Sequence, residues 1–126
     1  MPEKKYDLEE RPLEYAARIC RAVERMAKTR AGNHVAKQLL RSGTAPLPNH
    51  GEAQAADSAD DFIHKMRLCL KELRESKRWL LLVQRVPLIK APARLDPLVQ
   101  ETEELIRIFV VSIRTAERKR AARSAL

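Results

Sequence analysis

Apolar residues recur every three or four positions through most of this chain, the spacing that places them on one face of an α-helix. Four stretches carry the pattern, and they predict helices over about residues 9–29, 34–45, 58–86 and 97–119, followed by a basic C-terminal tail. Short connections make successive helices antiparallel neighbours. We therefore expect residues 1–126 to form one domain, an all-α, antiparallel up-down-up-down four-helix bundle.

The first predicted helix has an apolar face and a basic face. Pro12 suits a first helical turn, and the helix is expected to end before the break at Gly32. Its core-facing residues are Leu13, Ala16, Ile19, Cys20, Val23 and Ala27. Its cations, nearly opposite, are Arg18, Arg21, Arg25 and Lys28. Such a stripe is either a solvated face or a surface for phosphates.

The second predicted helix has an unusual C-terminal end. Asn33 is a candidate N-cap, and apolar residues follow at Val35 and Leu39. Pro46 and Pro48 each remove an amide donor and clash with the preceding turn. The helix is therefore expected to kink or break at these prolines, and a break is favoured.

The third predicted helix, which Asp57 or Ser58 can cap, presents three different faces. The core face consists of Phe62, Met66, Cys69, Leu70, Leu73 and Leu80. A basic face consists of Arg67, Lys71, Arg74 and Arg78. The third face carries Leu68, Trp79, Leu82 and Val86. Exposed apolar side chains of this size favour a self-association surface over the alternative, a wide core face under a long loop.

The fourth predicted helix begins with Asp96 as its N-cap and Pro97 as its first helical residue. The apolar connection VPLIKAPAR before it is expected to lie over the end of the bundle. Its core stripe comprises Leu98, Thr102, Leu105, Ile106, Phe109 and Ile113. Ile108 and Val111 lie outside that stripe as a second candidate contact patch. The tail ends in the cations Arg114, Arg118, Lys119, Arg120 and Arg123, and it either extends the helix or frays.

Charge adds a functional hint to this architecture. The 25 basic and 17 acidic residues leave a net charge of +8, which favours an anionic partner such as nucleic acid or an acidic protein surface. The alternative is a basic helical protein without such a partner. Cys20 and Cys69 are interpreted as small buried hydrophobes in a reducing compartment. The apolar runs are too short to span a bilayer, so a cytoplasmic protein without a membrane partner is expected.

No catalytic pattern stands out in the sequence. His34, His50 and His64 are scattered, without the spacing of metal ligands, so neither a metal nor a cofactor is expected. Glu72 and Glu75 share a helix face and are interpreted as partners of nearby cations. There is no glycine-rich phosphate loop or nucleophile elbow. The sequence therefore predicts a protein that is not an enzyme.

Four segments, QLLRSGT, PNHGEA, SADDFIHK and LKELRESKRWL, resemble a known family. It is the family of small bacterial four-helix bundle proteins that includes the proteins encoded in intervening sequences of ribosomal RNA genes, and it is related to the accessory variability protein of diversity-generating retroelements. The matching residues are Gln38, Leu39, Arg41, Ser42, Asn49, Glu52, Ala53, Ser58, Asp61, Phe62, Lys71, Glu72, Glu75, Trp79 and Leu80. The chain departs from the family at residues 45–48, where Ala-Pro-Leu-Pro replaces Ser and small residues.

The resemblance implies a homo-oligomeric bundle, a homopentamer, that binds nucleic acid or assists a reverse transcriptase. With the charge, it leads to one main hypothesis: a non-catalytic homo-oligomer that binds RNA or DNA non-specifically through phosphates, as an accessory or scaffold factor. The candidate nucleic-acid-binding residues form the basic faces of the first and third helices and part of the tail. They are Arg18, Arg21, Arg25, Lys28, Arg67, Lys71, Arg74, Arg78, Arg118, Lys119, Arg120 and Arg123. The alternative is an adaptor for an acidic protein partner.

Overall fold

The computed structural model describes residues 8–126, and every regular element within them is helical. Helix α1 spans Glu10–Glu24, α2 Arg30–Thr44, α3 Pro46–Gln54, α4 Ala59–Arg85 and α5 Asp96–Ser124. A short 3₁₀ helix, Pro92–Leu95, precedes α5. Only Ala45 separates α2 from α3, so the two helices follow one another directly and count as one helical segment that is interrupted at Ala45. The predicted all-α, four-helix protein is confirmed.

The connection between α1 and α2 differs from the prediction at both of its ends. Helix α1 stops at Glu24, earlier than predicted, because the amide of Ala27 donates to the carbonyl of Leu88 at 2.8 Å instead of continuing the helix. Helix α2 begins at Arg30, where the Thr29 hydroxyl accepts from the Gly32 amide at 3.0 Å. Thr29 is therefore the N-cap, and the prediction of Asn33 was wrong.

The other helix starts are closer to expectation. Ser58 caps α4, since its hydroxyl accepts from the amide of Asp61 at 3.0 Å, and this confirms one of the two predicted caps. Asp96 is the first residue of α5 and not its cap, because its carboxylate accepts from the Gln84 amide at 2.8 Å. Helix α5 extends to Ser124, so the basic tail continues the helix.

Pro46 and Pro48 lie in the first turn of α3, where helical amides have no partner within the helix in any case. Ala45 keeps right-handed helical angles, with φ −61° and ψ −36°, and its amide still donates to the Arg41 carbonyl at 3.2 Å. The nine residues of α3 were not predicted as helix. The tolerance of a first turn for proline is the reason that they form one.

One hydrophobic core lies between the helices, and α4 packs against α2, α3 and α5. The predicted core residues of α4 and α5 are confirmed as buried at Met66, Cys69, Leu73, Leu80, Leu98, Thr102, Leu105, Phe109 and Ile113. Phe62, Leu70 and Ile106 are partly buried against the core. The connection after α4 closes one end of the molecule, as predicted, with Leu88 and Ile89 buried.

Two predicted core residues of α1 are exposed instead. Leu13 is 49% exposed, and Cys20 lies on the surface. The inward face of α1 is centred on Tyr15, Ile19 and Ala22, all fully buried, so that Leu13 and Cys20 lie about 130–150° from its centre. The sequence pattern did not reveal that the tyrosine belongs inside.

Polar contacts between α4 and α5 run in a regular order. Residues that come later in α4 contact residues that come earlier in α5. The pairs are Asp60 with Arg120 at 2.7 Å, Lys77 with Glu103 at 2.9 Å, and Gln84 with Asp96 at 2.8 Å. These pairs tie the two longest helices together along their whole length.

Candidate functional site

The residues that carry the family resemblance meet on the surface between α2 and α4. The Arg41 guanidinium pairs with Glu72 at 3.1 Å and also bonds to Glu75. The indole N–H of Trp79 donates to Glu75 Oε2 at 3.0 Å. This set, the Arg41 cluster, holds one guanidinium, two carboxylates and an indole. The prediction that both glutamates serve as ion-pair partners is confirmed.

The other motif residues also serve the fold. Ser42 is buried, Glu52 pairs with Lys65 at 2.7 Å, and Ser58 caps α4. Gln38, Asn49 and Phe62 are partly buried. The contacts of Ser42 and Glu52 join two helices and that of Ser58 begins one, so these three motif residues serve the architecture.

The sequence pattern predicts that Trp79 lies on an exposed third face of its helix, but in the structure it does not. It is partly buried against the core, and its ring meets that of His34 edge-on, with centroids 6.1 Å apart. Helix α2 lies beside this turn of α4 and supplies that cover. Next to it, an open hollow of about 530 Å³ is lined by Trp79, Leu81, Leu82 and three charged residues, Glu75, Arg78 and Arg85.

The remaining candidate self-association residues differ in exposure. Leu82 and Val86 are exposed, the latter at 56%, and the unpredicted Leu81 adds to their surface. Val111 is 60% exposed on α5. Leu68 and Ile108 are partly buried. The apolar surface at the C-terminal part of α4 is therefore formed by Leu81, Leu82 and Val86 around the edge of Trp79.

Ten of the twelve predicted nucleic-acid-binding cations lie on α1, α4 and α5, whereas Arg25 and Lys28 follow the end of α1. Three of the twelve are engaged in ion pairs. These pairs are Arg21 with Glu14 at 3.1 Å, Arg120 with Asp60 at 2.7 Å, and Arg67 with Glu117. The other nine form no ion pair with any carboxylate in the described part of the chain. They are Arg18, Arg25, Lys28, Lys71, Arg74, Arg78, Arg118, Lys119 and Arg123.

The tertiary structure adds two cations that helix periodicity did not select. Lys90 and Arg94 lie in the connection between α4 and α5 and line the same hollow as Arg25. An antiparallel bridge between Met26 and Ile89 holds this connection against the end of α1. Helical periodicity carries no signal for residues of a connection, so only the charge of VPLIKAPAR hinted at them.

Several titratable groups are buried, and each is held in its neutral form. Burial raises the pKa of Tyr15 to about 12 and that of the Cys69 thiol to about 12. Burial lowers the pKa of His50, whose ring meets Phe109 edge-on at 5.9 Å between centroids. Within residues 8–126, no three His, Cys, Asp or Glu side chains converge to hold a metal ion. In the same range, no helix has the length and apolar character needed to cross a membrane.

Comparison with known proteins shows a solved structure of similar fold. No model of a protein family matches the chain, and no curated protein matches it. The fold is similar to the crystal structure of a protein of unknown function from Bacteroides thetaiotaomicron VPI-5482, described as a member of the S23 ribosomal protein family. The two share 30% sequence identity with a TM-score of 0.78, over 88% of this chain and 98% of the other.

Proposed function

We propose, from the premise that this chain belongs to the S23 ribosomal protein family, that it is a non-catalytic, self-associating helical protein that binds nucleic acid through its basic surface. The family name connects the relative with the ribosome, an assembly rich in RNA. Binding is to RNA or DNA through phosphates and depends little on base sequence. The protein acts as an accessory or scaffold factor.

The observation that carries this proposal is the set of nine cations that have no carboxylate partner among residues 8–126. A cation that is already paired loses that partner when it contacts a phosphate, whereas an unpaired one releases only water and counterions. With a net charge of +8, the protein also attracts polyanions over a distance. Both effects favour nucleic acid as the partner.

The test is a binding measurement as a function of salt. Fluorescence anisotropy with a labelled oligonucleotide should show affinity that falls by about 0.7 to 0.9 log units per log unit of salt for each phosphate neutralised. Myoglobin, a helical protein without such a cation excess, serves as the control. Affinity that does not change with salt, or no binding at low salt, would refute the proposal.

Self-association is the second part of the proposal. We also propose that each subunit has the predicted antiparallel up-down-up-down arrangement. The polar pairs between α4 and α5, whose positions rise in one helix as they fall in the other, support that arrangement. Leu82 and Val86, beside Trp79, form the surface that the assembly buries, with Val111 as a contact on another helix. We propose a ring-like homopentamer. Replacing Trp79 with Ala should weaken this assembly more than replacing Arg25 with Ala.

The biological setting is proposed from the resemblance. A diversity-generating retroelement would supply a reverse transcriptase as protein partner, and a ribosomal RNA insertion would supply RNA. The genes beside this one discriminate between the settings, because each places a recognisable neighbour next to it. A neighbourhood with neither a reverse transcriptase nor a ribosomal RNA gene would contradict both.

A second candidate function is an adaptor for an acidic protein. The hollow beside Trp79 favours it, since apolar Leu81 and Leu82 lie there next to Arg78 and Arg85. Such a composition is typical of a protein interface, in which an aromatic anchor is surrounded by charge. A pull-down partner retained after nuclease treatment would support the adaptor, and its loss would favour nucleic acid.

A further inference from the structure

One end of the molecule collects cations from two distant parts of the sequence. The residues after α1 are joined to those after α4 by the 2.8 Å hydrogen bond from the Ala27 amide to the Leu88 carbonyl and by the Met26–Ile89 bridge. As a result, cations of α1 face cations of the connection. We call this surface the basic end, which consists of Arg18, Arg21, Arg25, Lys90 and Arg94.

Two adjoining hollows lie on the basic end, and Arg25 and Arg94 line both of them. The smaller one, of about 260 Å³, also holds Arg18 and Arg21. Glu14 is the one carboxylate among the described residues that line either hollow, and it is already paired with Arg21 at 3.1 Å. Arg18, Arg25, Lys90 and Arg94 therefore remain available to an anion.

The larger hollow, of about 630 Å³, combines charge with an apolar wall. The wall is formed by Ala27, Pro87, Leu88, Ile89 and Ala91. The charged residues that line the hollow beside it are Arg25, Lys90 and Arg94. An inorganic anion makes no favourable contact with an apolar wall, whereas a nucleotide contains both a negative phosphate and a flat base that can lie against such a wall. The composition of the hollow matches a nucleotide whose base is unpaired.

The backbone of the connection is held in an unusual conformation at this place. Ala91 has φ 50° and ψ 61°, the left-handed region that favours glycine. A hydrogen bond from the Arg94 amide to the Ala91 carbonyl at 2.9 Å closes the turn. The turn thus places Lys90 and Arg94 on one hollow, and local strain of this kind is found at functional sites.

The other basic surfaces are less suited to a phosphate. The cations of the α4 stripe stand along a single helix, and the hollow at its end contains Glu75. The hollow with Lys119 and Arg123 adjoins the first turn of α4, which carries Asp60 and Asp61. Of the four hollows described within residues 8–126, the larger one at the basic end brings unpaired cations from two segments together with an apolar wall.

We propose that the basic end is the site that binds single-stranded nucleic acid, with a phosphate between Arg25 and Arg94 and the neighbouring base against Pro87, which is an exposed part of the apolar wall beside the buried Leu88. This inference rests on the proposed nucleic-acid binding and specifies its location and the type of strand. Duplex DNA or RNA binds less well, because a stacked and paired base cannot reach the apolar wall.

The experiment compares two double variants with the full-length wild-type protein. Arg25→Gln with Arg94→Gln removes the shared cations, and Lys71→Gln with Arg74→Gln removes the same charge from the α4 stripe. All four residues are exposed, so both variants should keep the wild-type circular dichroism and melting temperature. Anisotropy with labelled oligouridylate is measured over a series of potassium chloride concentrations, together with a duplex of equal length.

The wild type should prefer the single strand. The basic-end variant should lose about 0.7 units of the salt slope, as expected for one phosphate contact to a single strand, while the α4 variant keeps most of the slope. Equal losses in both variants, or a preference for the duplex, would overturn this inference and leave the proposed function standing. If the wild type binds neither probe at low salt, the inference and the proposed function fail together.

Discussion

The hydroxyl groups of Ser42 and Ser76 lie 2.8 Å apart at the interface of α2 and α4, and both residues are fully buried. A second buried pair joins α1 to α5, since Tyr15 Oη lies 2.8 Å from Thr102 Oγ1. Thr102 donates its proton to the Leu98 carbonyl at 2.7 Å, so the tyrosine is the donor of the pair. Hydrogen bonds thus cross the core between two pairs of helices and fix their register.

Removing one hydroxyl of the serine pair should destabilise the protein. We expect Ser42→Ala to lower the free energy of unfolding by about 1–3 kcal/mol, because the Ser76 hydroxyl then loses its hydrogen bond to Ser42 in a buried site. Urea denaturation checks this value. The exposed Ser124→Ala serves as control and should change stability by less than about 0.5 kcal/mol. The double variant with Ser76→Ala should cost less than the sum of the single changes, and additivity would contradict the coupling.

Two glycines in helices should respond to alanine with opposite signs. A Cβ at Gly43 would approach Ile19 to 2.7 Å, so Gly43→Ala should cost about 1–3 kcal/mol through overpacking. A Cβ at Gly51 meets no atom within 4 Å, so Gly51→Ala should add about 0.4–1 kcal/mol by reducing the freedom of the unfolded chain. Thermal unfolding of the two variants measures both effects. Shifts of the same sign would contradict the packing described around α2 and α3.

The two cysteines should differ in reactivity. Cys20 is exposed and should react with Ellman's reagent as soon as it is added, whereas Cys69 is buried, with its thiol pKa raised to about 12. We expect one thiol to be titrated in the native protein and two after unfolding in guanidinium. A Cys20→Ser variant should lose the fast reaction. Fast labelling of Cys69 in that variant would show that the core opens readily near α3.

Stability should fall on acidification because of His50. Burial lowers the pKa of this imidazole, so the folded protein resists protonation while the unfolded chain takes up a proton below its ordinary pKa of about 6.5. The unfolded state then binds more protons, and the free energy of unfolding decreases as the pH falls through this value. Urea midpoints across this range should fall less steeply for His50→Gln. An equally steep fall would assign the effect to groups other than His50.

The proposed assembly can be tested with a charge on its apolar surface. Leu82→Glu should shift the protein to a smaller mass in light scattering, because a carboxylate would be buried in the interface without a partner. Leu126→Glu introduces the same charge at the exposed C-terminus and should keep the wild-type mass. A wild-type protein that is monomeric at micromolar concentration would refute the assembly, and an unchanged mass of the Leu82 variant would refute this surface.

Periodicity predicted the helices well where a single apolar stripe faces the core. On α5 it selected Leu98, Leu105 and Phe109, which are all buried. It failed on α1, where the amphipathic Tyr15 belongs to the core and Leu13 does not. It also missed α3, since prolines in a first turn look the same in sequence as prolines that end a helix. The error on α1 arises because the other helices decide which of its faces is covered.

The sequence by itself determined the helical class, the approximate helices of this chain and its excess of positive charge. Its local signals suffice for these properties because they depend on spacing and composition within one segment. Tertiary packing decided which cations converge and which are engaged in ion pairs. Arg25 and Arg94 are far apart in the chain and line the same hollows only because the connection after α4 lies against the end of α1.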